Sequence, residues 1–334
     1  MKRIGKSTLE FDRPPTILSQ AAVGGKKEAE GPLGGELDQT FGDTTLGQDS
    51  WERAEAQLQK EAAALAMKKA AVSAEEVDFI LAGDLLNQCI SSTFGLLDFG
   101  IPFLGQYGAC STMAQTLLLA AVLVESGAAR RALAVTSSHF CSAERQFRLP
   151  LEYGGQRSPT AQWTATAAGC ALVGLGGRVR VRRGLAGKIR DLGVKDTANM
   201  GAAMAPAAAS SIFEFLQDTA TQPQDYDGIF TGDLGATGSQ LLYQCLDDNR
   251  VDLRPVHQDC GLLLYNRQSQ DVHAGGSGCG CSASVLCGHL LRRMERGELK
   301  NILFCATGAL MSPTSSQQGQ SIPGVCHVVQ LTTA

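Results

Sequence analysis

The feature that most constrains this chain is that it repeats itself. Residues 78–85 read Asp-Phe-Ile-Leu-Ala-Gly-Asp-Leu, and residues 227–234 read Asp-Gly-Ile-Phe-Thr-Gly-Asp-Leu. Each is a short apolar run ending in Gly-Asp-Leu, which suits a buried parallel strand followed by a turn. Each follows a helix-like stretch, Trp51 to Ala71 in one case and Gly201 to Thr219 in the other. A second pair lies further along. Gly108-Ala-Cys-Ser-Thr112 opens an apolar helical run that ends at Gly127, and Gly278-Cys-Gly-Cys-Ser282 opens one that ends at Gly297. Glycine is a natural stop because it accepts the positive φ found just past a helix. Strand-like runs follow both, Arg131 to Thr136 and Asn301 to Ala306. The repeated order of helix, strand, helix, strand predicts parallel α/β units. The first pair is offset by 149 residues and the second by 170, so the second half carries about 20 extra residues, placed at 250–274.

Length and composition fit such a chain. Its 334 residues suffice for two closely packed halves, and 44% hydrophobic with 19% charged residues is an ordinary folded balance. A net charge of −4 leaves no basic footprint for nucleic acid, and no such partner is expected. The longest apolar stretch, Met113 to Val124, falls short of the roughly 20 residues of a membrane span. Eleven cysteines, most of them inside apolar runs, and a start without an apolar signal core predict a reducing, intracellular setting with buried free thiols. Cys279 and Cys281 have no second close Cys or His pair, so no metal site is expected. Residues 24–47 read as a long loop. No cofactor is expected either: there is no Walker sequence and no G-x-S-x-G, and Gly275-Gly-Ser-Gly278 is not a dinucleotide fingerprint.

Several residues are candidates for a site. Cys110 opens a helix, where unpaired N–H groups and the helix dipole favour a thiolate nucleophile; the plain alternative is a buried inert thiol. Asp84 and Asp233 each end a strand of the repeat, at the sheet edge where ligands bind. Brought together they would share a proton or hold a cation; otherwise each caps the helix that follows. His139 follows a strand and is a candidate base for Cys110, or a hydrogen-bonded loop residue. Arg145 and Arg148 form a candidate carboxylate clamp, unless they pair with Glu144 and Glu152. Gly278 and Cys279 follow a glycine run that offers N–H groups to an anion near a helix start.

A cysteine at the start of the third helix of a duplicated α/β chain resembles the thiolase superfamily. Gly31-Pro-Leu-Gly34, Leu81-Ala-Gly-Asp-Leu-Leu-Asn-Gln88, Gly108-Ala-Cys-Ser-Thr112, Ala143-Glu-Arg-Gln-Phe-Arg148, Asp259-Cys-Gly261 and Ala274-Gly-Gly-Ser-Gly-Cys279 resemble one branch of it, the stage V sporulation protein AD family. The resemblance implies a thiolase-like fold, duplicated and five-layered (α-β-α-β-α), with halves at 1–182 and 183–334 meeting near 175–190. It implies a protein of endospore formers that binds dipicolinic acid, alone or as its calcium chelate, and serves its uptake or release. It also implies other stage V A-operon membrane proteins as partners, a place peripheral to the inner spore membrane, and, by analogy, a homodimer. Condensing enzymes of the superfamily place a His where Asp233 stands and often an Asn where Gly278 and Cys279 stand. That departure points to ligand binding at Cys110 without catalysis; the alternative is a Cys110-dependent acyltransferase with His139 as base.

Overall fold

The computed structural model describes residues 1–147 and 157–333. Its first sheet half consists of β1 (Thr16–Gly24), β2 (Phe79–Gly83), β3 (Phe103–Gly105), β4 (Ala132–Ser138) and β5 (Ala167–Gly174). Its second consists of β6 (Val179–Leu185), β7 (Gly228–Thr231), β8 (His257–Asp259), β9 (Asn301–Ala309) and β10 (Gly324–Thr333). The strands run in the order β8-β7-β9-β10-β6-β1-β5-β4-β2-β3. Outward from the centre, each half reads antiparallel, antiparallel, parallel, parallel. The halves touch through two β1–β6 residue pairs, Ile17 with Val179 and Thr16 with Arg180. The sequence boundary at 182/183 cuts through β6; the chain passes from one half to the other at residues 175–178.

The repeat extends to the corners. Helices α1 (Trp51–Ala70) and α5 (Met200–Thr219) are each 20 residues long, and each ends in a left-handed alanine, Ala71 and Ala220, with φ 52° and ψ 42°. A left-handed alanine is uncommon, and here it is fixed by matching bonds from Val72 N–H to Met67 and from Thr221 N–H to Leu216. Asp78 accepts the N–H groups of Arg130 and Arg131, and Asp227 accepts those of Lys300 and Asn301. The same carboxylate therefore ties the start of the inner parallel strand to its neighbour in both halves. The insertion is narrower than the sequence offsets place it. Strands β3 and β8 correspond, and the extra chain follows Asp259, as a short helix (Cys260–Leu264) and a loop that returns at Gly276.

Two helices are buried along their length because they are apolar on nearly every face. One is α3 (Thr112–Glu125), which packs on β4 and β5 of the first half and on β6, β9 and β10 of the second. The other begins as α7 (Cys279–Val285), continues through a π turn at 286–290, and packs on β1, β4 and β5. Helix α1 covers β1, β4 and β5 from elsewhere, and α5 covers β9 and β10. No helix among the described residues is long and apolar enough to cross a membrane.

Candidate functional site

Cys110 stands in a tight turn between β3 and α3. Ala109 before it is left-handed, with φ 49°, and Ser111 after it is the helix cap. The turn is held against the second half by close backbone approach. A Cβ on Gly308 of β9 would lie 2.2 Å from the Gly108 carbonyl oxygen, so only glycine fits there. Cys110 is 8% exposed and lines a cavity of about 60 Å³. The walls come from both halves: Leu85, Tyr107 and Phe147 from one, Met200, Met204 and Met311 from the other. Thr164, Ser277 and Glu144 add polar atoms.

The thiol stands beside the carboxyl of Asp233, and the two groups shift each other's titration. Asp233 is fully buried, and its carboxyl accepts the N–H of Gly278 at 2.8 Å, Ser277 Oγ at 3.2 Å and Thr307 Oγ1 at 3.0 Å. Burial pushes its pKa up to about 7, against the lowering effect of those donors. Burial pushes the Cys110 thiol well up, and Asp233 pushes it further. The sequence expectation of a helix-stabilised thiolate is therefore corrected: desolvation outweighs the helix terminus, and Cys110 is a protonated thiol.

The two repeat aspartates have parted roles. Asp84 does not line the cavity. It is buried, and it accepts Leu86 N–H at 2.9 Å, Ser92 N–H at 2.8 Å and Ser92 Oγ at 2.6 Å, capping α2 (Ile90–Leu96). Asp233 does not cap the helix that follows it, α6 (Gly235–Asp247); Asp259 takes the N–H groups of Leu234 and Gly235 instead. Among the described residues no three His, Cys, Asp or Glu side chains cluster as a metal site, and the two aspartates bond to different partners.

His139 is not the base for Cys110. Its Nε2 bonds to the Thr44 carbonyl at 2.8 Å and its Nδ1 accepts the Cys141 N–H at 3.1 Å. Both ring nitrogens are used, burial lowers its pKa, and it is absent from the cavity walls. Arg145 of α4 (Phe140–Phe147) is ion-paired to Glu52 and lies outside the described lining. Arg148 falls outside the described residues. Gly278 does adjoin the site, with φ 98° and its N–H on Asp233. Cys279 is fully buried behind it, donating to the Ser137 carbonyl at 2.9 Å.

The sequence reading missed several participants. Glu55 is fully buried in α1, bonded to Ser137 and Ser142, with its pKa raised by burial and then by Asp84. Its place in an Ala-rich helical run gave no sign of that. Gln162 braces the site by donating to the carbonyls of Asp233 and Gly276, both at 2.7 Å. A protonated thiol and a buried acid in an apolar cavity can exchange a hydrogen bond with a ligand; they do not supply the imidazole that would activate the sulfur.

A family model described as stage V sporulation protein AD matches residues 5–332. The chain is 43% identical over 330 residues to stage V sporulation protein AD of Bacillus subtilis strain 168, covering 98% of this chain and 97% of that one. Among solved structures it is similar to an OleA variant from Xanthomonas campestris, with TM-score 0.62 and 14% identity over 97% of this chain and 99% of that one. It is also similar to human mitochondrial 3-ketoacyl-CoA thiolase in complex with CoA, with TM-score 0.60 and 12% identity over 98% and 100%. A third is 3-oxoacyl-[acyl-carrier-protein] synthase III from Aquifex aeolicus, with TM-score 0.59 and 13% identity over 95% and 99%. At these identities the structural likeness establishes a thiolase-like fold and nothing finer.

Proposed function

The chain belongs to the stage V sporulation protein AD family, with the sporulation-related role that membership carries, and on that premise we propose that it binds dipicolinic acid as its calcium chelate beside Cys110, without chemical turnover. The observation that carries this reading is the charge of the cavity. Among the described residues no Lys or Arg lines it, Glu144, paired to Arg157 at 3.5 Å, does, and Asp233 lies just behind the thiol. A bare dicarboxylate would meet no cation among the described walls to offset its charge, whereas a one-to-one calcium chelate is neutral and largely apolar at its ring. Glu144 and the carboxyl of Asp233 would face the metal end.

The cavity of about 60 Å³ is tight for a ring with two carboxylates. Met200, Met204 and Met311 in its walls are unbranched and re-pack at low cost, which lets the space open on binding. Without an imidazole on the sulfur, the departures at Asp233 and Gly278 favour retention of a ligand over acyl transfer. The packing of α1, α3, α5 and α7 against the two sheet halves supports a five-layer α-β-α-β-α reading, divided at residues 175–178. The proposed partners are the membrane-embedded stage V A-operon proteins, which would hold the chain at the inner spore membrane.

Calorimetry tests the ligand. The protein is titrated with dipicolinate alone, with calcium alone and with both at equal concentration. Heat is expected only with both, at roughly micromolar to millimolar affinity, and is lost in Cys110→Trp. Equal binding of free dipicolinate without calcium, or undiminished binding by folded Cys110→Trp, overturns the reading.

A further inference from the structure

The two halves share a backbone corner and fill it differently. In the second half the corner is closed by neutral hydrogen bonds. Thr221, just past α5, bonds to Thr219 at 2.7 Å and to Tyr226 Oη at 2.8 Å, and Asn301 donates to the Asp225 carbonyl and accepts from Gln330. At the matching places in the first half stand Ala70 and Val72, with Arg130 and Arg131 where the second half has Lys300 and Asn301. This corner stays open as a groove of about 660 Å³, at the opposite end of β4 from the Cys110 site. Leu18, Val72 and Leu175 give it apolar walls, with Leu175 56% exposed, and Arg13, Arg130 and Arg131 stand in it. No acid is among the described residues that line it.

The fold does not require those arginines. The backbone N–H groups of Arg130 and Arg131 tie the strand start to Asp78, and the second half makes the same tie with a lysine and an asparagine. Nor are the guanidinium groups spent. Arg13 has no acid partner among the described residues, Arg130 lies 3.6 Å from Asp78 with its side chain 78% exposed, and Arg131 meets Glu76 at 3.2 Å. Ion pairs this exposed hold weakly, so an incoming carboxylate can displace or share them. Three forked cations beside an apolar wall match a chain that carries acids with an apolar residue between them. A flat anionic membrane fits less well. The cations line a hollow, and the exposed Asp12, Glu75 and Glu76 would meet the same headgroups. We propose that this groove binds an extended acidic segment of a partner protein, with its carboxylates on Arg13, Arg130 and Arg131 and an apolar side chain against Leu175. The inference stands independently of the ligand proposed at Cys110.

Fluorescence anisotropy with the full chain tests it, using labelled, capped peptide pools of about ten residues in which Glu, Gln or Lys alternates with Leu, Val or Ser. The Glu pool is expected to bind about five-fold or more tightly than the Gln pool, and the Lys pool not at all. The double variant Arg13→Gln with Arg130→Gln is expected to bring the Glu pool down to the level of the Gln pool, with unchanged far-ultraviolet circular dichroism. Lys300→Gln, at the matching place in the second half, is expected to change nothing. No preference for the Glu pool overturns the proposal, as does a preference that survives the double variant or is lost in Lys300→Gln. Flotation of the parent with phosphatidylglycerol vesicles, abolished by the double variant, assigns the groove to a lipid surface and overturns it as well. Should the double variant fail to fold, amide exchange in the parent decides. Slowing by the Glu pool at residues 127–131 and at Leu175 supports the groove, and slowing confined to other segments overturns it.

Discussion

The thiol of Cys110, from the first half of the sheet, stands beside the carboxyl of Asp233, from the second. Exclusion of water lowers the acidity of both; Asp233 lowers that of the thiol further, whereas the thiol partly offsets the rise that burial imposes on Asp233. The pair is the point at which the two halves meet chemically, and most of the testable behaviour of the site follows from it.

The first consequence is in stability against pH. Asp233 titrates at about 7 when folded and near the ordinary carboxylate value when unfolded. An acid with a raised folded pKa binds more protons in the native state, so its contribution is full below about pH 4 and is lost as pH rises to about 7. Asp233→Asn removes that titration. The stability difference, variant minus parent, is expected to rise through this window by a few kcal/mol at most and to be flat above pH 8. Urea melts at half-unit pH steps read it, and a pH-independent difference sinks the assignment. The slope, not the offset, is the test, since an Asn amide cannot accept from Gly278, Ser277 and Thr307 as fully as a carboxyl does.

Alkylation of Cys110 should be slow. A buried protonated thiol presents little thiolate at pH 8, so iodoacetamide is expected to label it more slowly than the partly exposed Cys141 and Cys245. In Asp233→Asn the neighbouring acid is gone, and labelling of Cys110 should accelerate several-fold. Peptide mass mapping over time follows each site. Fast labelling of Cys110 in the parent would show an activated nucleophile instead.

His139 and Arg145 should prove dispensable for ligand binding. His139→Gln disturbs the Thr44 and Cys141 contacts and is expected to cost stability, on the order of 1–2 kcal/mol, while leaving affinity for the ligand within about two-fold. Arg145→Glu meets Glu52 and should likewise spare affinity. A ten-fold loss in either titration would return that residue to the site.

Gly308→Ala probes the seam between the halves. Its Cβ would press on the Gly108 carbonyl and lie 3.0 Å from the Ser111 N–H, both parts of rigid backbone. The expected loss is about 1–3 kcal/mol, with weakened ligand binding because the Cys110 turn must shift. Unchanged stability would mean that the turn is free to move.

Much of the α/β alternation was legible in the sequence because its markers recur in the same order: Asp78 with Asp227 and Asp84 with Asp233 at an offset of 149, then Gly127 with Gly297 at 170. The site was less legible, because the roles within it are decided by partners distant in the chain. Ser92, eight residues after Asp84, draws that carboxylate away to a helix cap. The corresponding position after Asp233 is Leu241, and the cap of α6 comes from Asp259 in the following strand, so Asp233 is left to the thiol. Between the two readings of His139 the sequence could not choose, because the carbonyl that holds it belongs to Thr44, 95 residues earlier. No pattern around either residue carries that information. The helix-terminus argument for Cys110 was sound locally and was overruled by burial, which a single sequence does not disclose.

The central helix of the first half leans on strands of the second, and the helix begun by Cys279, from the second half, leans on strands of the first. A duplicated molecule arranged in this way cannot come apart along its line of symmetry. Each half keeps an outer core of its own, but the inner layer is shared, so melting either half strips that layer and destabilises the other. A chain cut between the halves is expected to give two fragments that regain the shared inner layer only when mixed.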